Sequence, residues 1–294
     1  MKKILGIAGA AAAALIGVTL WNLRRFMPCS IPLGENPQET EKKTLQIPWG
    51  EHLLYAELFL PKKQGNNLPT VVCSHGFNGS YRYFSNCSAP SLAAAGYAVL
   101  CFDFYAGSKN GKSGGSMTEL SVFMEKDQLN AVIDWVKQQD FCDPHNLFLF
   151  GESQGGFVTA ITGAEHSHDV KAMVLFYPAM CIQDDMRKQF PTWEDVPDEF
   201  PFMGTTLSKA YYEGLYDYDP YAVAGQFTGH VLIVHGDQDR IVSISYGQKL
   251  AACYENAEFV TLPGEDHGFS AEGKKKSTRL VYNFLEKQKS MESE

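Results

Sequence analysis

Short apolar runs rich in β-branched and aromatic residues alternate with stretches of helical spacing along this chain, and that alternation predicts an α/β fold. The runs are continuous rather than alternating, as in parallel strands covered on both faces, so the expected core is a mostly parallel central sheet with helices on both faces. One long aromatic-rich segment breaks the rhythm and reads as an inserted cap. A length of 294 residues, 45% hydrophobic and 20% charged, is enough for one large core and excludes a disordered or fibrous chain.

The elements follow in order. Lys2 and Lys3 precede an apolar run from Ile4 to Trp21, roughly 18 residues and just long enough to cross a bilayer, which Arg24 and Arg25 close. Small-residue triplets such as Ala8-Gly9-Ala10 lie inside the run rather than after it, and Met27-Pro28 before Cys29 makes a poor lipidation site. Residues 1–38 are therefore expected to be an uncleaved membrane anchor plus linker, with a removed signal peptide as the alternative. Basic residues at both ends leave the positive-inside rule silent, but the very short tail favours an extracytoplasmic body, secreted if the segment is cleaved.

The folded body is expected as one domain over 39–294. Thr44–Pro48 and His52–Leu60 read as an antiparallel hairpin-like pair, the second alternating through Leu54, Ala56, Leu58 and Leu60. Thr70–Ser74, Tyr97–Phe102, Leu147–Phe150, Val170–Phe176, Val231–Val234 and Phe259–Leu262 read as core strands. Helical spacing is clearest at Leu129, Val132, Ile133 and Val136, and in the tail around Leu280 to Leu285. The cap, 181–229, contains no strong strand and carries Phe190, Trp193, Phe200, Phe202, Tyr211 and Tyr212. It should lie over the carboxyl ends of the strands, where α/β sheets bind ligands.

The charge balance narrows the partners. The chain carries 25 basic and 34 acidic residues, a net of −9; without Lys2, Lys3, Arg24 and Arg25, 21 basic residues face the same 34, a net of −13. Such a body repels phosphate backbones and polyanions, so nucleic acid is not an expected partner. Seven cysteines cannot all pair internally, and their spacing matches neither a zinc site nor a disulfide framework, so they read as buried or unreactive thiols.

Gly151-Glu152-Ser153-Gln154-Gly155 fits G-x-S-x-G, a pattern that would arise by chance in roughly one chain in ten of this size from residue frequencies alone. Context carries it: a strand ends at Phe150 and a helix can begin at Gln154, a strand-to-helix turn that exposes the serine oxygen. A serine hydroxyl needs a base oriented by an acid, and these should follow at the ends of later strands. His267, in Gly264-Glu265-Asp266-His267-Gly268-Phe269, is the base. Asp239 is the acid, because it lies deeper in its loop, whereas Asp237 reads as a turn residue bonding its own backbone. Backbone N–H groups of Phe77, in Ser74-His75-Gly76-Phe77, and of Gln154 should bind the oxyanion, and His75 reads as a structural loop residue. A neutral histidine base predicts activity that rises with pH through roughly 6–7.

These motifs resemble those of the α/β-hydrolases, and among them the chain is similar to the bacterial cinnamoyl (feruloyl) esterases over roughly Leu53 to Glu286. The resemblance implies an α/β-hydrolase fold with the triad Ser153, Asp239 and His267, oxyanion donors Phe77 and Gln154, and cap residues Asp185 and Tyr211 that recognise a phenolic group. It further implies a serine enzyme that cleaves small-molecule esters, hydroxycinnamoyl or other small acyl esters, with no cofactor and no metal. The N-terminal segment and the loop Tyr105–Ser116 depart from the pattern. That loop nearly reads as a phosphate-binding loop, but Ala106 stands at the first glycine and no helix start follows. Glu165-His166-Ser167-His168-Asp169 lacks the spacing of a metal site. The rivals are a peptidase or amidase of the same fold, with Asp184, Asp185 or Glu194 binding the substrate amine, and a non-catalytic receptor. The sequence sets no oligomeric state.

Overall fold

The computed structural model describes residues 28–63 and 65–289. The expected membrane anchor or signal segment lies outside the described residues, among which no helix is long and apolar enough to cross a membrane.

Strand β1 (Thr40–Trp49) pairs antiparallel with β2 (His52–Pro61) across the two-residue connection Gly50-Glu51, where Gly50 takes φ +54°. Then follow β3 (Leu68–Ser74), the short helices α1 (Arg82–Ser85) and α2 (Ser88–Ala94), β4 (Ala98–Phe102), α3 (Val122–Lys137), β5 (Cys142–Glu152), α4 (Gln154–Glu165) and β6 (Ala172–Phe176). The cap segment supplies α5 (Ile182–Gln189), a hairpin of β7 (Glu199–Phe202) and β8 (Thr205–Ser208), a 3-10 turn over Lys209–Tyr212 and α6 (Pro220–Ala224). The chain then completes β9 (His230–Gly236), α7 (Ile244–Ala251), β10 (Ala257–Leu262) and α8 (Ala271–Lys289).

The eight sheet strands stand in the order β1-β2-β4-β3-β5-β6-β9-β10, and every neighbouring pair is parallel except the two that involve β2. Each core strand alternates its side chains between two apolar layers. In β5, Leu147 and Leu149 join α3 and α4 on one face, while Phe148 and Phe150 join α2 and α8 on the other. The α3 stripe of Leu129, Val132, Ile133 and Val136 is fully buried, each side chain worth about 1.5–3 kcal/mol of transfer free energy. The Ser121 hydroxyl caps that helix by accepting the Met124 N–H at 3.5 Å. Strand order reverses at β3, with β4 on one side and β5 on the other, so the carboxyl ends of β3 and β5 flank a topological switch point.

Two expectations need correction. The cap does contain strands: β7 and β8 pair over four residues each, joined by Met203 and Gly204 at φ +43° and +80°. Their brevity, and Pro201 within β7, conceal the period-2 pattern that marks longer strands. The cysteines are not all thiols either, because Cys29 is disulfide-bonded to Cys87. Those residues lie 58 apart in sequence, a spacing that carries no signature; the fold joins them by laying the entering chain along α1 and α2. There the Cys29 N–H donates to Asn86 O at 3.0 Å and the Ile31 N–H to Ser91 Oγ at 2.8 Å. Cys73 and Cys101 are buried thiols in neighbouring strands, as their apolar runs indicate.

Candidate active site

Strand β5 ends at Glu152 and α4 begins at Gln154, which leaves Ser153 alone in the turn at φ +54°, ψ −119°. A non-glycine residue held in that region is strained and persists only where its surroundings fix it. Here Ser153 donates its N–H to Phe176 O at 2.9 Å and accepts the Ala179 N–H on its carbonyl at 2.9 Å. The flanking glycines are required by close approach. A Cβ on Gly155 would stand 2.2 Å from Ser74 O and 2.4 Å from His75 O, and one on Gly151 would stand 2.4 Å from Gly155 O.

His267 reaches the serine from the loop after β10, its Nε2 3.0 Å from Ser153 Oγ and its Nδ1 2.8 Å from Asp239 Oδ2. All three side chains are buried, and Tyr177 lies against the imidazole at a ring separation of 4.4 Å. Asp239 sits in the loop after β9 and receives four donors. Its Oδ1 accepts the N–H groups of Ile241 and Val242, both at 2.9 Å. Its Oδ2 faces His267 Nδ1 and, at 3.2 Å, Nε2 of His235, which also lies 3.0 Å from Val242 O. Burial opposes ionisation of Asp239, but the charge of His267 and the bonds from His235, His267 and Val242 outweigh it. The carboxyl is thereby held well below the usual carboxylate range.

The structure brings the expected oxyanion residues to the same place. Gln154 is the first residue of α4, so its N–H belongs to the helix end that lacks intrahelical acceptors. The loop after β3 is drawn in by Glu152, whose Oε1 accepts the Gly76 N–H at 2.6 Å, and a Cβ on Gly76 would stand only 2.8 Å from Ser153 Cβ. Phe77 and Gln154 both line one cleft with Ser153 and His267. His75 is a loop residue, as expected: its Nε2 accepts the Phe104 N–H at 3.1 Å and its Nδ1 lies 2.8 Å from Gly76 O. Asp237 bonds a neighbouring loop rather than its own backbone, accepting the Gly264 N–H at 2.7 Å; it is exposed, and the carboxylate on His267 Nδ1 is that of Asp239.

Between the strand ends and the cap the cleft holds about 520 Å³ of empty space, part of it open to solvent. Its walls are chiefly apolar, with Phe77, Phe202, Ile182 and Val242 among them. Asp185 and Tyr211 both line it, in different settings. Asp185 is half-exposed and lies 3.7 Å from Lys188. Tyr211 is buried and donates its hydroxyl proton to Gln154 Oε1 at 2.7 Å, so its donor is already committed within the protein. The other acids considered for an amine site are elsewhere engaged or exposed: Asp184 accepts from Tyr246 at 2.9 Å, and Glu194 is exposed outside the cleft.

Sequence reasoning did not single out Glu152, Glu125 or His235, which support the site from behind. A carboxylate inside an apolar strand end, as at Glu152, and one on the buried stripe of a helix, as at Glu125, are the signals that could have found two of them.

Comparison with known proteins agrees with this architecture. Residues 82–292 match the model of the prolyl oligopeptidase family. Est1E from Butyrivibrio proteoclasticus, solved with ferulic acid bound, superposes with a TM-score of 0.76 at 27% identity, covering 84% of this chain and 100% of that one. A putative dipeptidyl aminopeptidase IV from Bacteroides ovatus shares the fold at TM-score 0.61 and 18% identity, over 86% of this chain and 36% of that one. An uncharacterized 31.7 kDa protein of Escherichia coli is 33% identical over 88 residues, 30% of either chain, so this chain spans under a third of that relative. The chain is an α/β-hydrolase and belongs to the prolyl oligopeptidase family.

Proposed function

We propose that the protein is a serine hydrolase that cleaves small carboxylic esters through an acyl-enzyme. The observation that carries this reading is the line of hydrogen bonds from Asp239 through His267 to Ser153, opening on a cleft with mainly apolar walls. His267 takes the Ser153 proton as the oxygen attacks the acyl carbon, and the N–H groups of Phe77 and Gln154 hold the tetrahedral oxyanion. The imidazolium, stabilised by ionised Asp239, then protonates the leaving alcohol. Water, deprotonated by the same imidazole, attacks the acyl-serine and releases the acid. The ferulic acid bound to Est1E supports an aromatic acyl group such as hydroxycinnamoyl, with Asp185 and Tyr211 at the acyl end of the cleft.

The family match favours a second reading, a peptidase of the same fold. An exopeptidase needs a desolvated acid for the substrate amine, and the acid at this cleft, Asp185, is half-exposed beside Lys188, which supports the ester instead. A panel of p-nitrophenyl acetate and butyrate, a long-chain ester, methyl ferulate and aminoacyl anilides decides between them. Esters turned over at least tenfold faster than anilides support the first reading, and the reverse order supports the peptidase.

The Cys29–Cys87 disulfide supports a catalytic body exposed to an oxidising compartment, whether tethered to a membrane or secreted. Carbonate washing of membranes separates the two: retained protein supports the anchor, and full release of intact protein excludes it.

A further inference from the structure

Glu125 stands in the first turn of α3, fully buried, where an uncompensated carboxyl is costly. Its Oε2 accepts the Gln154 Nε2–H at 2.7 Å, and Gln154 Oε1 in turn accepts the Tyr211 hydroxyl at 2.7 Å. Its Oε1 has no hydrogen-bond partner and faces Gly107, where an added Cβ would stand 3.0 Å away. Three segments distant in sequence therefore meet in one chain of bonds: the start of α3, the residue after the nucleophile, and the cap's 3-10 turn. Burial, with Tyr212 and then Glu125 adding to it, raises the Tyr211 hydroxyl well above its usual range, so Tyr211 remains the donor to Gln154. Burial outweighs the Gln154 bond, so the carboxyl is pushed up to about 8 and favours its neutral form.

We propose that Glu125 is a positioning residue that, by gripping the Gln154 side chain, fixes both the oxyanion donor beside Ser153 and the cap residue Tyr211 over the cleft. Gln154 carries two duties on one residue. Its backbone N–H faces the oxyanion, and its amide is clamped at one end by the core and at the other by the cap. Without the Glu125 acceptor, the Gln154 NH2 is buried unpaired, and the amide must turn to find a partner, taking the first turn of α4 and the Tyr211 contact with it. The loss falls on the transition state, where the oxyanion exists, rather than on substrate binding.

This inference rests on the serine hydrolase reading, and its test distinguishes the two. Full-length wild type, Glu125→Gln, Glu125→Leu and Gln154→Leu are compared for p-nitrophenyl butyrate turnover, with rates divided by sites titrated with a fluorophosphonate. Glu125→Leu removes the acceptor without opening a cavity, and kcat should fall about 10- to 100-fold with KM within threefold. Glu125→Gln keeps a neutral acceptor and should restore kcat to within threefold of wild type. If Glu125→Leu does not fold, Gln154→Leu cuts the same link, leaves the backbone N–H in place and should show the same kcat loss. Undiminished kcat in the Leu variants, a Gln variant as impaired as the Leu variant, or a loss confined to KM overturns the proposal. A wild type that neither labels nor turns over the ester overturns the underlying reading instead.

Discussion

Replacing Asp239 by asparagine tests the electrostatic part of the site most sharply, because the amide nearly matches the carboxylate in shape. The wild-type carboxylate accepts four donors: two backbone N–H groups on Oδ1, and His267 Nδ1 and His235 Nε2 on Oδ2. Asparagine offers one acceptor oxygen and one NH2. The backbone donors hold that oxygen in the Oδ1 position, so the NH2 must face the two imidazoles. His267 can meet it only by giving up its Nδ1 proton, which moves the proton to Nε2, the nitrogen 3.0 Å from Ser153 Oγ. The base then confronts the serine as a donor and cannot take its proton. The comparable change in a serine protease lowers kcat by about 10⁴, equivalent to about 5.5 kcal/mol of transition-state stabilisation, and the same order is expected here. Steady-state hydrolysis of p-nitrophenyl butyrate reads the loss, with circular dichroism showing that the fold survives. Asp237→Asn, which alters a bond to Gly264 on an exposed loop, should stay within threefold of wild type. Asp239→Asn within tenfold of wild type, or the large loss appearing at Asp237 instead, would refute the reasoning.

Three further outcomes follow from the packing. Glu125 has a raised folded-state carboxyl at about 8, so its contribution is greatest below the unfolded value of about 4.3 and declines as pH rises. The slope is about 1.4 kcal/mol per pH unit between those values, flattening above the upper one. Urea unfolding at pH 5 and pH 8 should therefore show Glu125→Gln gaining on wild type with pH, and parallel behaviour of the two would contradict the neutral buried acid. The Cys29–Cys87 link closes a 58-residue separation, for which chain entropy gives about 4 kcal/mol. Cys87→Ser should lower the urea midpoint accordingly, and denatured, unreduced wild type should expose five thiols of seven. Gly155→Ala drives a Cβ to 2.2 Å from Ser74 O, and thermal melting should show a loss of about 1–3 kcal/mol; an unchanged melting temperature would mean the elbow is looser than described.

The parts legible in the sequence were those set by local chemistry and strand order. Ser153 announced itself through two glycines that the elbow needs for close approach, and His267 and Asp239 through loops that follow later strands. Strand interiors were visible as apolar runs, but their ends were not. β5 extends back to Cys142 through Asp143, Pro144, His145 and Asn146, and β1 begins four residues earlier than expected, at Thr40, through Glu41, Lys42 and Lys43. Edge positions and strand ends face water, so charged side chains are tolerated there and erase the hydrophobic signal. Glu125 was hidden for the opposite reason. Its place on the α3 stripe, four residues before Leu129, is clear only once Gln154 is known to turn its side chain toward that helix. The disulfide and the cap hairpin were likewise products of tertiary placement, in which residues far apart or too few to form a pattern are brought together by the rest of the fold.

The central claim is that Ser153 is the nucleophile, activated by the imidazole 3.0 Å from its oxygen. Peptide mapping by mass spectrometry after fluorophosphonate treatment of the full-length protein tests it most directly. One adduct per chain is expected, on the peptide that contains Ser153, with butyrate-ester turnover lost in proportion to labelling. Folded protein that takes up no label, or an adduct on a different serine with Ser153 unmodified, would contradict it.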